Sequence, residues 1–258
     1  GQAFRWERVG EDTFRGIALG RLLEIERQGG DIVLHQVSEE EFYTLWRNYF
    51  DLNRDYGALK ESFRADPVLS RAMDFAPGIR VLRQDSWEAL CSFIMSQNNN
   101  IARNKGMIAR LCQLAGEKIP GGYAFPTPEK LATLEVEDLA FARCGFRAKY
   151  ILDAAKAVAD GRVCLKKAAS LPLKEARQML MTIYGVGPKV GDCALLYGLG
   201  RVDCVPMDVW MKRVMGTLFP GRSPEWFGPY AGVAQQYLFH YSRHHPELFR
   251  EKVQNGRK

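Results

Sequence analysis

The segment LMTIYGVGPKVGDCALLYGLG, residues 180–200, decides the fold. It predicts one helix that ends at Gly185-Val186-Gly187 and a second that begins at Pro188, because proline is favoured at the first helical position. Glycine tolerates positive φ and lets another backbone approach closely, so the two helices can close into a tight hairpin. The free N–H groups at the start of the second helix would then form an anion site. An ordinary tight turn between helices is the alternative that Gly-x-Gly alone favours.

Lys189 favours the functional interpretation of this hairpin. It lies in the first turn of the second helix, where the positive end of the helix dipole disfavours a cation. A partly desolvated lysine at such a place can act as an amine nucleophile. Asp208 precedes a further predicted helix, where it would most simply be an N-cap. However, an amine that attacks and a carboxylate that stabilises positive charge together can displace a group from a sugar carbon.

The rest of the chain changes style once. Its first part consists of short apolar runs separated by glycines, a pattern that predicts an antiparallel meander. Ser38 with Glu41 predicts a capping box, and almost everything after it has helical periodicity. The predicted fold class is therefore α+β. We expect an antiparallel sheet with flanking helices over residues 1–80, and a helical body over 81–258 with the hairpin at about 173–199.

Composition bounds the possible partners without choosing one. The 258 residues are 47% hydrophobic and 26% charged, enough to bury a large core. The net charge of +6 permits a nucleic-acid partner, and a slightly basic solvated surface explains it equally well. Six cysteines without a C-x-x-C pair argue against a zinc ribbon and fit a reducing compartment. No apolar run approaches the roughly 20 residues of a membrane span, so we expect an intracellular, soluble monomer without a membrane partner.

Several motifs together resemble a known family. The residues GVGPKVGDC (185–193) and VPMDV (205–209) look like the signature of helix-hairpin-helix DNA base-excision glycosylases. Five further segments, in order along the chain, resemble 8-oxoguanine DNA glycosylases: GQAFRW (1–6), VLRQDSWEALCSFI (81–94), SQNNNIAR (96–103), GFRAKYI (145–151) and GPYAGVAQQYLF (228–239). The resemblance covers nearly the whole chain. It implies a bifunctional enzyme that removes 8-oxoguanine opposite cytosine from duplex DNA and then nicks the abasic site.

The resemblance assigns roles to the two residues singled out above and to the hairpin. Lys189 would attack the sugar C1′ and form a Schiff base, and Asp208 would stabilise the oxocarbenium-like transition state, with no cofactor required. The DNA phosphate would accept hydrogen bonds from the backbone N–H groups of Gly185, Gly187 and Val190. The Trp210 ring would also contact it. A structural Na⁺ or K⁺ would be bound by backbone carbonyls of the hairpin, those of Met181, Ile183 and Val186.

Base recognition follows from the same resemblance. Asn98 would enter the space left by the flipped nucleotide, Arg103 and Arg147 would donate to the unpaired cytosine, and Phe146 would be the wedge. Asn99 and Asn100 more simply hold the turn through side-chain to backbone bonds. The damaged base would lie between the Phe239 ring and the Cys193 sulfur, and the Gln235 amide would bind its Watson–Crick edge. The Gly1 carbonyl would accept from the N7–H of 8-oxoguanine, which guanine lacks.

Three positions depart from the family pattern. Phe146 stands where relatives often have tyrosine, Trp210 replaces a histidine, and Tyr184 replaces the usual proline before Gly-Val-Gly. Two alternatives stay open from the sequence. One is a glycosylase of the same fold for another damaged purine, with a relaxed opposing-base preference; the other is a DNA-binding protein without chemistry. Lys189 and Asp208 argue against the second.

Overall fold

The computed structural model describes residues 1–249 and confirms the α+β class, with an N-terminal antiparallel sheet and a mainly helical remainder. Contacts group the chain into two compact units, each described by itself below. The first unit contains residues 1–54 and 81–201, and the second contains 55–80 together with the described residues from Val202 to Phe249.

The elements follow one another as predicted in type. The strands are β1 (Trp6–Arg8), β2 (Thr13–Ala18), β3 (Arg21–Gln28), β4 (Asp31–His35), β5 (Lys118–Ile119) and β6 (Gly122–Tyr123). The α-helices of the described residues are α1 (Glu39–Glu41), α2 (Arg47–Tyr49), α3 (Tyr56–Phe63), α4 (Pro67–Phe75), α5 (Ser86–Met95), α6 (Ile101–Ala115), α7 (Pro128–Ala132), α8 (Ala148–Ala159), α9 (Leu165–Ser170), α10 (Leu173–Leu180), α11 (Pro188–Tyr197), α12 (Val209–Leu218) and α13 (Ala231–His244). A π-helical turn, Phe42–Trp46, joins α1 to α2, and short 3-10 helices cover Glu137–Ala142, Gly145–Arg147, Pro224–Tyr230 and Pro246–Phe249.

The sheet of the first unit is a meander in the order β1-β2-β3-β4, antiparallel throughout. Leu19 and Gly20 both have positive φ in the two-residue turn between β2 and β3. Such turns match the twist of the flanking strands. Ala18 and Leu23 on the buried face pack against Trp46 and other residues of the α1–α2 segment. The sheet is thus backed by the first helical segment, as the sequence predicts.

The first helical segment starts as expected but continues differently. Ser38 Oγ accepts a hydrogen bond from the Glu41 N–H at 3.1 Å, which confirms the N-cap. The Glu41 carboxylate does not complete the capping box; it accepts from the indole N–H of fully buried Trp46 at 3.0 Å. A buried polar group without a partner costs free energy, so this bond satisfies the indole. The bond joins Glu41, just before the π-helical turn, to Trp46, the last residue of that turn.

Helix α5 forms the centre of the helical part of the first unit. The Asp85 carboxylate caps the start of this helix by accepting from the Glu88 N–H at 2.8 Å. Residues of α5 are buried almost throughout and pack against α11, α6 and α8. The Glu88 side chain lies 3.4 Å from the Arg5 guanidinium, yet burial raises the pKa of Glu88 to about 7. A carboxyl group therefore stays largely protonated in the interior below neutral pH.

In the second unit, α13 packs against α4 and α12. The buried face of α4 is formed by Leu69, Ala72 and Met73, and that of α13 includes Tyr237 and Leu238. This packing explains why residues 55–80 group with the C-terminal part rather than with the sheet. No helix within the described part of the chain combines the length and the apolar character of a membrane span.

Candidate active site

The hairpin between α10 and α11 turns at Gly185-Val186-Gly187. Helix α10 ends at Leu180, and Gly187 is the N-cap residue of α11. Gly185 has φ +81°, and a Cβ placed there would lie 2.4 Å from the ring of Tyr150. Both the backbone conformation and the close ring require glycine. The structure thus confirms a close hairpin at Gly-Val-Gly.

Three N–H groups of this hairpin are available to an anion. Among the hydrogen bonds of residues 1–249, none uses the backbone N–H of Gly185, Gly187 or Val190 as donor. The last of these lies in the first turn of α11, whose dipole places positive potential at the same point. Free N–H groups at a helix start favour binding of a phosphate or carboxylate. These are the N–H groups that the sequence predicts to bind phosphate.

An ion pair between Asp153 on α8 and Arg162 just after this helix fixes the turn, and no sequence motif predicts it. The Asp153 carboxylate accepts from the Tyr184 N–H at 2.7 Å and from Arg162 at 2.9 Å. Arg162 also donates to the Thr182 carbonyl at 3.1 Å. Because Tyr184 has an N–H where proline has none, Asp153 can bind the hairpin directly. The departure from the usual proline is therefore matched by a carboxylate on the neighbouring helix.

The three predicted cation ligands differ in what they already bind. The Ile183 carbonyl accepts from the Val186 N–H at 3.1 Å. No hydrogen bond within the described residues reaches the carbonyls of Met181 or Val186. Met181 is 40% exposed and Val186 is buried, so Val186 is the one of these two that combines burial with a carbonyl lacking a donor. A carbonyl oxygen of this kind is chemically able to bind a monovalent cation.

Lys189 lies one residue into α11 and is half-buried. Its Nζ is 5.9 Å from the ring centroid of Phe93, and within residues 1–249 no carboxylate or hydrogen-bond acceptor pairs with it. Cys193 is four residues further along the same helix, only 3% exposed, and so lies on the same face as Lys189. The first unit thus presents an unpaired amine beside an anion site.

The corner between α5 and α6 is built by the three asparagines. Asn98 is exposed and has φ +47°, a left-handed conformation that asparagine tolerates better than most residues. The Asn99 amide donates to the Met95 carbonyl at 3.1 Å and accepts from the Asn100 N–H at 3.0 Å. The Asn100 side-chain oxygen caps α6 by accepting from the Arg103 N–H at 2.8 Å. The predicted turn-holding bonds of Asn99 and Asn100 are confirmed.

The Arg147 side chain binds the backbone of the corner between α5 and α6. Its Nε donates to the Gln97 carbonyl and its Nη2 to the Asn98 carbonyl, both at 2.8 Å, and it is 2% exposed. Its guanidinium also lies 4.4 Å from the ring centroid of exposed Phe146. Burial and the positive charge of nearby Arg103 lower the pKa of Arg147. The structure therefore brings together all four residues assigned to the opposing base, and gives Arg147 a positioning contact that the sequence did not predict.

Gly1, the residue assigned to the damaged base, precedes a residue that is anchored by hydrogen bonds. Gly1 is exposed. The Gln2 side-chain oxygen accepts from the Leu82 N–H at 2.9 Å, and the Gln2 backbone carbonyl accepts from the Gln84 side-chain amide at 2.6 Å. The segment that carries Gly1 is thus tied to the chain just before α5.

The second unit carries the remaining predicted residues. Asp208 caps α12 by accepting from the Met211 N–H at 2.7 Å, as its position before the helix predicts. Gln235 and half-buried Phe239 lie four residues apart on α13 and so share a face, and Gln236 donates to the Gln235 side-chain oxygen. The Trp210 indole N–H donates to Ser242 Oγ at 2.7 Å, and its ring centroid lies 5.3 Å from that of Phe249 and 5.0 Å from the Arg243 guanidinium.

A helical hairpin with free N–H groups and an unpaired lysine defines a helix-hairpin-helix protein built to bind an anionic substrate. Residues 1–90 match the 8-oxoguanine DNA glycosylase N-terminal domain, and residues 91–224 match the HhH-GPD superfamily of base excision DNA repair proteins. The chain belongs to the 8-oxoguanine DNA glycosylase family.

Individual relatives agree with this membership. The N-glycosylase/DNA lyase OGG1 of Arabidopsis thaliana is 31% identical over 93% of this chain and 74% of its own length. The structure of MBOgg1 with a low-affinity DNA ligand has a TM-score of 0.89 at 45% identity, over 95% of this chain and 89% of that one. The 8-oxoguanine glycosylase/lyase of Clostridium acetobutylicum, bound to double-stranded DNA with cytosine opposite 8-oxoguanine, has a TM-score of 0.87 at 39% identity, with the same two coverages.

Proposed function

We propose that this protein removes 8-oxoguanine paired with cytosine from duplex DNA and then cleaves the strand at the abasic site. The observation that carries the proposal is the unpaired amine of Lys189 in the first turn of a helix whose start offers free N–H groups to a phosphate. The relatives named N-glycosylase/DNA lyase support both halves of the activity. Such an enzyme works with the DNA of the cell.

The chemistry uses the amine as nucleophile. The neutral Lys189 Nζ attacks C1′ of the damaged nucleotide; the new C–N bond forms as the glycosidic bond breaks, and the base leaves with the bonding electrons and takes up a proton. Opening of the sugar ring gives a protonated Schiff base, and loss of a proton from C2′ expels the 3′ phosphate. The Asp208 carboxylate stabilises the positive charge that develops on the sugar. Its bond to Met211 holds it in place for that role.

The hairpin holds the strand during this step. Backbone donors of Gly185, Gly187 and Val190 bind a phosphate next to the lesion, and the Trp210 ring adds a contact to the backbone. A monovalent cation bound by the carbonyls of Met181, Ile183 and Val186 would supply one positive charge close to that phosphate. The protein itself holds the turn in place through the close packing of Gly185 on the Tyr150 ring and through the hydrogen bond from the Tyr184 N–H to Asp153.

Recognition of the base pair uses one group of residues for the opposing base and another for the damaged base. Extruding the nucleotide costs a few kcal/mol of stacking and pairing. Asn98 fills the vacated space with Arg103 as a donor to cytosine, while Arg147 keeps the Asn98 backbone in position and Phe146 wedges the neighbouring pair. For the extruded base, Cys193 and Phe239 supply the flanking surfaces and Gln235 reads the Watson–Crick edge. The Gly1 carbonyl accepts from N7–H, which penalises guanine.

The test is borohydride trapping on duplexes that carry one 8-oxoguanine opposite each of the four bases. Wild type, Lys189→Gln and Lys174→Gln are compared, because Lys174 is an exposed lysine on the neighbouring helix α10. We expect a covalent adduct with wild type and Lys174→Gln, most abundant opposite cytosine, and none with Lys189→Gln.

Three other outcomes would each remove a part of the proposal. Base release without an adduct in wild type would mean that Lys189 is not a covalent nucleophile. Equal adduct yields opposite all four bases would refute the cytosine role of Asn98 and Arg103. An adduct that persists in Lys189→Gln would assign the Schiff base to another amine.

A further inference from the structure

A row of aromatic rings leads from the wedge to the hairpin in the first unit. The Phe146 and Tyr150 centroids are 5.7 Å apart, and the Tyr150 and Tyr184 centroids are 5.1 Å apart, each pair in an edge-to-face arrangement. We call these three residues the aromatic row. Its two ends are unusually open for large apolar groups, with Phe146 48% and Tyr184 57% exposed. Contiguous exposed rings of this kind are typical of a binding surface.

A cation without an acidic partner lies over this row. The Lys149 Nζ is 5.3 Å from the Tyr184 ring centroid and 5.7 Å from that of Tyr150. Within residues 1–249 no carboxylate is in ion-pair distance of Lys149, which is exposed. Asp153, one turn further along α8, already binds Arg162 and the Tyr184 N–H. The ammonium of Lys149 therefore remains available to an external anion.

The row is fixed directly against the phosphate-binding turn. The Tyr150 ring occupies the space where a side chain at Gly185 would stand, 2.4 Å from the ideal Cβ position. Tyr184 immediately precedes Gly185 in the chain, and its backbone is held by the 2.7 Å bond to Asp153. Both tyrosines are thus placed in advance of binding, so little conformational entropy is lost when they contact a ligand.

We propose that Lys149, Tyr150 and Tyr184 form a second DNA-backbone contact beside the hairpin. The Lys149 ammonium binds the phosphate next to the one on the hairpin N–H groups, and the exposed Tyr184 ring packs against the sugar between the two phosphates. The inference rests on the proposed function only in taking the anion at the hairpin to be a DNA phosphate. A contact to phosphate and sugar is independent of sequence and of damage.

The chain offers a matched control for this geometry. Tyr43 is 55% exposed, and Arg47 lies 5.5 Å from its ring centroid, so the same kind of cation and ring pair occurs on the helical segment behind the sheet. If any exposed pair of this kind bound DNA, Tyr43→Ala and Arg47→Gln would weaken binding as well. If position beside the hairpin matters, they would not.

The experiment measures fluorescence anisotropy with an undamaged duplex over a range of salt concentrations. We expect Lys149→Gln to reduce the slope of log K against log salt by about 0.9, the value for one lost phosphate contact. Tyr184→Ala should weaken binding about fivefold or more, the low end for loss of an aromatic contact to nucleic acid. Tyr184→Phe keeps the ring and should bind as wild type does, and Tyr43→Ala and Arg47→Gln should do so too.

The same variants on an 8-oxoguanine duplex complete the test. The ratio of affinities for damaged and undamaged DNA should stay at the wild-type value, because a backbone contact acts on both equally. An unchanged salt slope in Lys149→Gln, or a Tyr184→Ala affinity equal to that of Tyr43→Ala, would overturn the contact. A loss confined to damaged DNA would also overturn it, since the residues would then read the lesion. Failure of the trapping assay with a reduced slope in Lys149→Gln would remove the proposed function and leave this contact standing.

Discussion

Replacing Gly185 by alanine should damage the hairpin through two separable effects. The residue has φ +81°, where an L side chain is strained, and the new Cβ would lie between 2.4 and 2.6 Å from three ring atoms of Tyr150. Left-handed backbone costs a non-glycine residue roughly 1–2 kcal/mol. Forcing a packed ring aside costs about 1–3 kcal/mol. We therefore expect Gly185→Ala to lower the free energy of unfolding by about 2–5 kcal/mol.

Gly187 provides the matched control two residues away. It has φ −97°, an ordinary conformation, and a Cβ added there would have nothing within 4 Å. Only its N-cap position matters, where alanine is less favourable than glycine, so Gly187→Ala should cost less than about 1 kcal/mol. Urea unfolding of both variants and wild type gives the comparison, and for a chain of this length each kcal/mol should also lower Tm by roughly 2–4 °C.

A double-mutant cycle with Tyr150→Ala separates the two effects. Without the ring, the clash is absent, so Gly185→Ala should then cost only the backbone strain of about 1–2 kcal/mol. A Gly185→Ala variant that unfolds at the same urea concentration as Gly187→Ala would refute the reasoning. A cost that is unchanged in the Tyr150→Ala background would show that the ring is not the obstacle.

Three further predictions concern carboxyl groups. Asp208→Asn keeps an oxygen for the Met211 N–H, so urea unfolding should shift by less than about 1 kcal/mol while single-turnover base excision is lost; retained excision would contradict the charge role. Asp192→Ala removes the 2.6 Å partner of Arg177 from a nearly buried position and should lower the free energy of unfolding by about 1–3 kcal/mol, against a much smaller effect of Asp192→Asn, as thermal melts would check. Burial raises the pKa of Glu88 from 4.5 to about 7, so the protonated carboxyl group stabilises the fold fully below pH 4.5. This contribution, on the order of 2–3 kcal/mol, is lost as the pH rises through 7. Urea unfolding at pH 5 and pH 8 should show the loss in wild type and not in Glu88→Gln.

Features set by a few neighbouring residues were predictable from the sequence. Ser38, Asp85 and Asp208 each cap the helix that follows, because a cap depends only on a side-chain oxygen and N–H groups two or three residues away. Pro188 begins α11 for the same local reason. The turn bonds of Asn99 and Asn100 are equally local.

Features that depend on distant residues were not predictable. Residues 55–80 group with the C-terminal part because of the packing between α4 and α13, which no local pattern reports. The sequence motif around Arg147 predicts a donor to the opposing base, but the carbonyls of Gln97 and Asn98 that receive its hydrogen bonds lie about 50 positions earlier. For the candidate site, the sequence thus identified the residues and their neighbours along the chain, and the structure adds which of them hold the others in place.

The bond between Asp153 and the Tyr184 N–H constrains how this sequence can change. Proline at position 184 would remove the only donor that the turn offers to this carboxylate and leave Asp153 with Arg162 alone. Alanine at position 153 would leave the Tyr184 N–H without its acceptor. Each single exchange should therefore give a less stable protein, whereas exchanging both residues together removes donor and acceptor at once. Positions 153 and 184 should consequently be inherited together, although 31 residues separate them.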